Sequence, residues 1–281
     1  MSYRYDPSLK AVLTPAQDAT FFREGRPESE ALLCAEMARL AYAAFERDLE
    51  AKSNVEATLR EIGFTACEFF SSASTQGFLA HDPVTALSVL SFRGTELAPQ
   101  KLATDLNALL VTWPGGGQVH RGFAEALEAA WERVAAVLGP VSGRVLYTGH
   151  SLGAALATLA AARRPPHTLH TFGCPRVGDA AFAAATGSLN HHRFGLCCDI
   201  VTRVPPEALT YRHTGPLAYL DRAGRLQRSP IAQFVADDQR RARRAFLWKW
   251  WWRPGAVWSR DIADHAPINY VATLTRAVGD G

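Results

Sequence analysis

Ser151 stands between two glycines in Gly149-His150-Ser151-Leu152-Gly153, a spacing that can present a serine hydroxyl as a nucleophile. By average Gly and Ser usage, about one chain in ten of this length holds such a pattern by chance. Its surroundings say more. Residues 143–148 read as a compact strand, and the alanine-rich residues 154–163 read as a helix. A strand turning sharply into a helix forces strained backbone at the serine, and the flanking glycines remove the Cβ clashes of such a turn. The hydroxyl then stands clear at the carboxyl end of the strand. The first N–H groups of the helix point at the same spot, where they favour an oxyanion. The backbone N–H of Leu152 is the expected first donor.

A serine hydroxyl attacks only when a base takes its proton, and the base must be oriented by a carboxylate. On a strand–turn–helix scaffold the chain order is Ser, then Asp or Glu, then His. Of nine histidines, His191, His192, His213 and His265 follow the nucleophile by a strand or more. Asp199 ends an apolar run and opens a turn, where an acid should project; His213 and His265 lie downstream of it. Asp264 is the rival acid, although the side chain of a direct neighbour would point away from the His265 ring. His150 cannot easily reach the Oγ of the adjacent serine and is read as a packing and hydrogen-bonding residue.

These groups need elements to carry them. Residues 28–45 recur in apolar character near a 3.6-residue period, with Ser29 as a cap. Residues 122–138 form a clear amphipathic helix stopped by Gly139-Pro140. Residues 86–92, 168–172 and 193–199 read as buried strands, the first ending at Arg93-Gly94-Thr95. Strands alternating with helices imply an α/β fold, a mostly parallel central sheet with helices on both faces. One domain over 1–281 accommodates them all.

Hydrophobic residues make up 48% and charged residues 20%, which excludes a disordered chain, and a net charge of +3 gives no argument for nucleic acid. Five cysteines without paired spacing disfavour a disulfide framework or a metal site and fit a reducing compartment. The start lacks a basic segment followed by an apolar run, and no apolar stretch of about twenty residues exists. The expected location is cytoplasmic or peripheral to a membrane, with secretion by another route as the alternative.

The block 147–157, Tyr-Thr-Gly-His-Ser-Leu-Gly-Ala-Ala-Leu-Ala, resembles the class 3 lipases, the family of the filamentous-fungal triacylglycerol lipases, in a bacterial-type member. Four more segments resemble that family in the same order: 91–95 (Ser-Phe-Arg-Gly-Thr), 119–123 (Val-His-Arg-Gly-Phe), 171–179 and 199–206. Asp264-His265 follows near the C-terminus. The resemblance implies an α/β-hydrolase fold and hydrolysis of acylglycerol esters, the activity of a triacylglycerol lipase, with no cofactor. It implies Asp199 as acid, His265 as base and Thr95 as the second oxyanion donor; His213 matches a motif whose role in the family looks structural. It also places a lid in the interval 96–118, with 101–111 partly amphipathic and Gly115 to Gly117 a flexible connection. Phospholipases, short-chain esterases and feruloyl esterases share the family, and a catalytically silent lipid-binding protein is a reading of a different class.

The segment 224–262 departs from anything the nucleophile needs. Five of the seven tryptophans fall between residues 240 and 260, interleaved with arginines. Trp beside Arg suits a lipid–water interface, so residues 246–258, from Phe246 to Trp258, are expected either to touch a membrane surface or to pack internally.

Overall fold

The computed structural model describes residues 4–72, 75–95 and 109–279. In chain order the strands are β1 (Ala66–Ser72), β2 (Thr75–Asp82), β3 (Leu87–Phe92), β4 (Leu110–Thr112), β5 (Gln118–His120), β6 (Arg144–His150), β7 (Thr168–Phe172), β8 (His191–Leu196), β9 (Leu217–Leu220) and β10 (Leu226–Arg228). Eight form one sheet in the order β1-β2-β3-β6-β7-β8-β9-β10, while β4 and β5 make a separate hairpin. From β3 to β9 every neighbouring pair is parallel; β1, β2 and β10 add antiparallel edges.

Register decides where the chemistry goes. Phe92 pairs with Gly149, His150 with Phe172, and Phe172 with Phe194. The turns after β3, β6, β7 and β8 therefore emerge side by side at the carboxyl edge, the usual place for a site in an open parallel sheet. Thr95, Ser151, Gly173 and Asp199 all lie in those turns.

The helices are α1 (Leu9–Leu13), α2 (Glu30–Leu40), α3 (Leu49–Glu61), α4 (Arg121–Leu138), α5 (Leu152–Arg163), α6 (Ala180–Ala185), α7 (Ala232–Trp250), α8 (Arg260–Ala263) and α9 (Pro267–Gly279). Alternate side chains of one strand point to opposite faces, and each face has its own core. Leu90, Tyr147 and Leu169 pack against α4 and α5, whereas Val89, Leu146 and Phe172 pack against α2 and α9. In α4 the buried residues Phe123, Leu127, Ala130, Val134 and Leu138 recur every three or four positions, which makes the stripe that fits the sheet. The Ser29 hydroxyl accepts from Leu32 N at the start of α2, and the His120 imidazole accepts from Phe123 N at the start of α4.

Several elements differ from the sequence reading. The first helix is shorter than 28–45, because the chain turns after Leu40 to bring Tyr42 beneath the carboxyl edge. The strand expected over 193–199 stops at Leu196, where Cys197 takes a positive φ of 23°. The glycines after Trp113 form a tight turn rather than a loose connection: Trp113 N donates to Gly117 O and Gly116 N to Trp113 O, closing the β4–β5 hairpin. Leu110 and Val111 are strand, not helix. Residues 96–108, most of the expected lid, lie outside the described residues.

One buried ion pair ties α2 to the N-terminal segment. Arg39 and Glu36 are fully buried and meet through paired bonds of 2.8 and 2.6 Å, and Arg39 also donates to the Pro15 carbonyl. Removing one partner strands a buried charge. Arg39→Met is expected to lower unfolding free energy by about 3–5 kcal/mol, and adding Glu36→Leu to restore part of it. The urea-denaturation midpoints of the three proteins check this.

Candidate active site

Ser151 occupies the junction of β6 and α5 with φ 58° and ψ −125°, a conformation that side chains normally avoid. Its N–H donates to the Phe172 carbonyl of the adjoining strand at 3.0 Å, and its carbonyl accepts from Ala154 N, so the strained residue is pinned on both sides. The flanking glycines are sterically required. A Cβ on Gly149 would meet the backbone of Gly153, and one on Gly153 would meet the Phe92 and Arg93 carbonyls. The first turn of α5 thus lies directly against the end of β3.

Ser151 Oγ lies 2.9 Å from His265 Nε2, and His265 Nδ1 lies 2.9 and 3.0 Å from the two Asp199 oxygens. All three side chains are buried. Asp199 is held from behind: Val201 N donates to Oδ1 at 2.8 Å and the Tyr270 hydroxyl to Oδ2 at 2.6 Å. Tyr270 is itself oriented by accepting from Leu196 N. His265 enters from the turn after α8, and its ring lies 4.5 Å from that of His150. The His150 Nδ1 is 2.8 Å from the Tyr42 hydroxyl. Burial, and then the nearby His265, hold the His150 pKa well below the ordinary histidine value. His150 is therefore neutral and leaves His265 as the group that can accept charge.

Gly173, at φ 58°, closes the floor. A Cβ there would stand 2.7 Å from Asp199 Oδ2 and 3.1 Å from His265 Nδ1. Leu152 is the first residue of α5, so its N–H has no acceptor within the helix. Thr95 is half-buried just beyond Gly94, which abuts the Tyr42 hydroxyl and the His150 carbonyl.

The other candidates sit elsewhere. His213 Nε2 lies 2.8 Å from the Thr202 carbonyl. His191 Nε2 lies 2.8 Å from the Thr171 hydroxyl, and His192 stacks on His170. Asp264 turns away from the neighbouring ring and accepts from Cys198 N, the Tyr5 hydroxyl and Arg260. Cys197, Cys198 and Asp264 also lie close enough to share an ion. However, Arg260 already neutralises Asp264, and the Cys198 side chain with burial pushes the Cys197 thiol up, so the donor set is a poor cation ligand. Sequence reasoning missed Tyr42, Gly173 and Tyr270. Gly173 was visible inside the 171–179 segment, whereas nothing marked either tyrosine, because a buried hydroxyl reads as an ordinary aromatic.

A hydroxyl, an imidazole and a carboxylate in this order can perform acyl transfer by covalent catalysis. Comparison with known proteins agrees. Residues 89–209 match the family model described as lipase (class 3). That stretch of the chain is similar to the class 3 lipases. The match takes in the Phe92–Thr95 turn, Ser151 and Asp199. A secreted mono- and diacylglycerol lipase of Fusarium solani is 42% identical over 123 residues, 38% of this chain and 35% of that one. Another, from Penicillium cyclopium, is 33% identical over 180 residues, 58% of this chain and 57% of that one. The chain thus aligns with less than two thirds of these curated relatives' length. The crystal structure of a mono- and diacylglycerol lipase from Aspergillus oryzae shares the fold, with a TM-score of 0.56 at 22% identity over 69% of this chain and 81% of that one.

Two outcomes are expected. Gly173→Ala should push Asp199 and His265 apart and slow fluorophosphonate labelling of Ser151 about 100-fold, since small displacements of reacting groups cost that much; stopped-time labelling and gel fluorescence measure it. Burial also lowers the pKa of His213, and that of His191 to about 3. The unfolded chain therefore gains protons at these histidines and at His150 below about pH 6.5, while the folded chain does not. Stability is expected to be full above that pH and to fall on acidification, and melting temperatures at a series of pH values test the sign.

Proposed function

We propose that this protein hydrolyses carboxylic esters of glycerol through an acyl-Ser151 intermediate. The observation that carries the reading is the unbroken line from Ser151 Oγ through His265 to Asp199 at a strained strand–helix turn. In the first half-reaction Oγ attacks the ester carbonyl carbon while Nε2 takes its proton. Asp199 steadies the imidazolium that results. The carbonyl oxygen becomes an oxyanion, for which the Leu152 N–H and Thr95 are the donors; each such donor lowers a barrier by about 3 kcal/mol. Collapse expels the glyceryl oxygen, which leaves with the proton from Nε2. In the second half, Nε2 takes a proton from water, the hydroxide attacks the acyl carbon, and the fatty acid departs as Ser151 recovers its proton.

The Fusarium solani and Penicillium cyclopium relatives are mono- and diacylglycerol lipases, which favours acylglycerols as substrate, partial glycerides included. Such substrates aggregate, so the lipid is met at a surface, and residues 246–258 are the part of the chain suited to that contact.

Wild type is expected to cleave long-chain p-nitrophenyl esters and an emulsified glyceride, with Ser151→Ala at background in both. Cleavage of short soluble esters alone would replace acylglycerols by small esters as substrate. Equal rates for wild type and Ser151→Ala would remove the acyl-serine route altogether.

A further inference from the structure

Helix α7 is two-faced in a way the core does not need. Its inward stripe is Asp238, Ala242 and Phe246, spaced by four and buried. Half a turn round, the outward stripe is Arg240, Arg244 and Trp248, continued past the helix end by Trp251 and Trp252. Trp248 is 83% exposed, Trp251 76%, Trp252 61% and Trp258 74%. Monomeric proteins rarely leave four tryptophans in water on one segment. Internal packing, one of the two expectations for this segment, applies to Phe246 and partly to Trp250, which joins the small cluster of Ala11, Val257 and Ile262.

We propose that this segment docks the protein on an anionic lipid bilayer. Two observations choose that occupant. The first is charge: between residues 240 and 253 lie Arg240, Arg241, Arg243, Arg244, Lys249 and Arg253 and no acidic residue. Arg240 and Arg243 are paired with Asp237 and Asp261. Arg241 and Arg244 are exposed, and Lys249 and Arg253 lie over tryptophan rings. Such a face repels a second copy of itself and attracts anionic headgroups. The second is residue type: tryptophan is the side chain that settles at headgroup depth, apolar body inward and N–H toward water. Among the described residues no helix is long and apolar enough to cross the membrane, so the contact is with its surface.

The surface is joined to the site. Trp258 and Leu247 line a cavity of about 600 Å³ together with Val204 and Ile200, the residue that directly follows Asp199. A bilayer seated on the tryptophans therefore lies beside the turn that holds the acid.

The proposal does not rest on hydrolysis, and the test keeps the two apart. Binding is measured by vesicle co-sedimentation in the Ser151→Ala background, so that the lipid stays intact. The vesicles are phosphatidylcholine alone or an equal mixture with phosphatidylglycerol. Binding to the mixed vesicles is expected, at least tenfold weaker to phosphatidylcholine, and weakened by salt. Trp248→Ala/Trp251→Ala/Trp252→Ala should cost about tenfold or more, with a blue shift of tryptophan fluorescence lost on the same vesicles. In the Ser151 parent, that triple variant should cleave a short soluble ester at the wild-type rate, which shows that it folds. Failure of wild type to bind the mixed vesicles, or equal binding by the triple variant, overturns the proposal. So does a wild-type dimer in sedimentation that the triple variant dissolves without any change in vesicle binding.

Discussion

The backbone at Ser151 sits where an L-residue loses about 1–3 kcal/mol relative to ordinary conformations, and the rest of the fold over-determines it. The parallel pairing of β6 and β7 supplies the Phe172 carbonyl that holds the Ser151 N–H. The buried, alanine-rich α5 supplies the pull from the other side, since nearly its whole surface is removed from water. Close approach of α5 to β3 requires hydrogen in place of a side chain at Gly149 and Gly153. The strain keeps Oγ turned toward His265 at the carboxyl edge of the sheet instead of folding it into the helix.

Around that point the charges are sorted. Two carboxylates, Asp199 and Asp264, lie near His265, yet only Asp199 bonds to the imidazole, while Asp264 is spent on Arg260, Tyr5 and the Cys198 backbone. Two imidazoles lie in contact, yet burial keeps His150 neutral. A proton leaving Ser151 therefore has one destination. Tyr270 and Val201 N saturate the far side of Asp199, so the carboxylate cannot rotate away from the ring without losing bonds that water does not replace in a buried pocket.

The parts of this arrangement written in local pattern were readable from the chain. Helix α4, with its three-and-four spacing, and the largely apolar run of β3 announce themselves because burial imposes a pattern. Ser151 and Asp199 stand out because they follow strand ends, and His265, in a turn between two helices, stands out because the chemistry constrains the chain order. The β1–β2 hairpin was not read: β2 is buried along most of its length and β1 mixes apolar and polar residues as Ala-Cys-Glu-Phe-Phe-Ser-Ser, so neither sequence alternates cleanly. Tyr42 and Tyr270 escaped for another reason. Their roles exist only after β6 and β8 bring distant residues within hydrogen-bond reach, and no spacing in the sequence encodes that distance. The tryptophan segment was legible in composition but ambiguous in direction, because whether Trp faces core or water depends on which stripe of α7 the sheet claims.

The two halves of the chain meet at the base. Tyr5 donates to Asp264, Asp6 N to Asn269, and Val257 N to the Pro7 carbonyl, so the N-terminal strap and the His265 turn hold each other in place. Tyr5 and Asp264 are 259 positions apart, and Ser151 and His265 are 114 apart. Contacts of such separation form late, after shorter loops have closed. During synthesis on the ribosome the sheet from β1 to β8 can assemble with its serine and its acid already in register, yet the imidazole has not been made. The line of hydrogen bonds from Ser151 to Asp199 is thus completed only when the His265 turn docks and Tyr5 and Asp6 hold it in place.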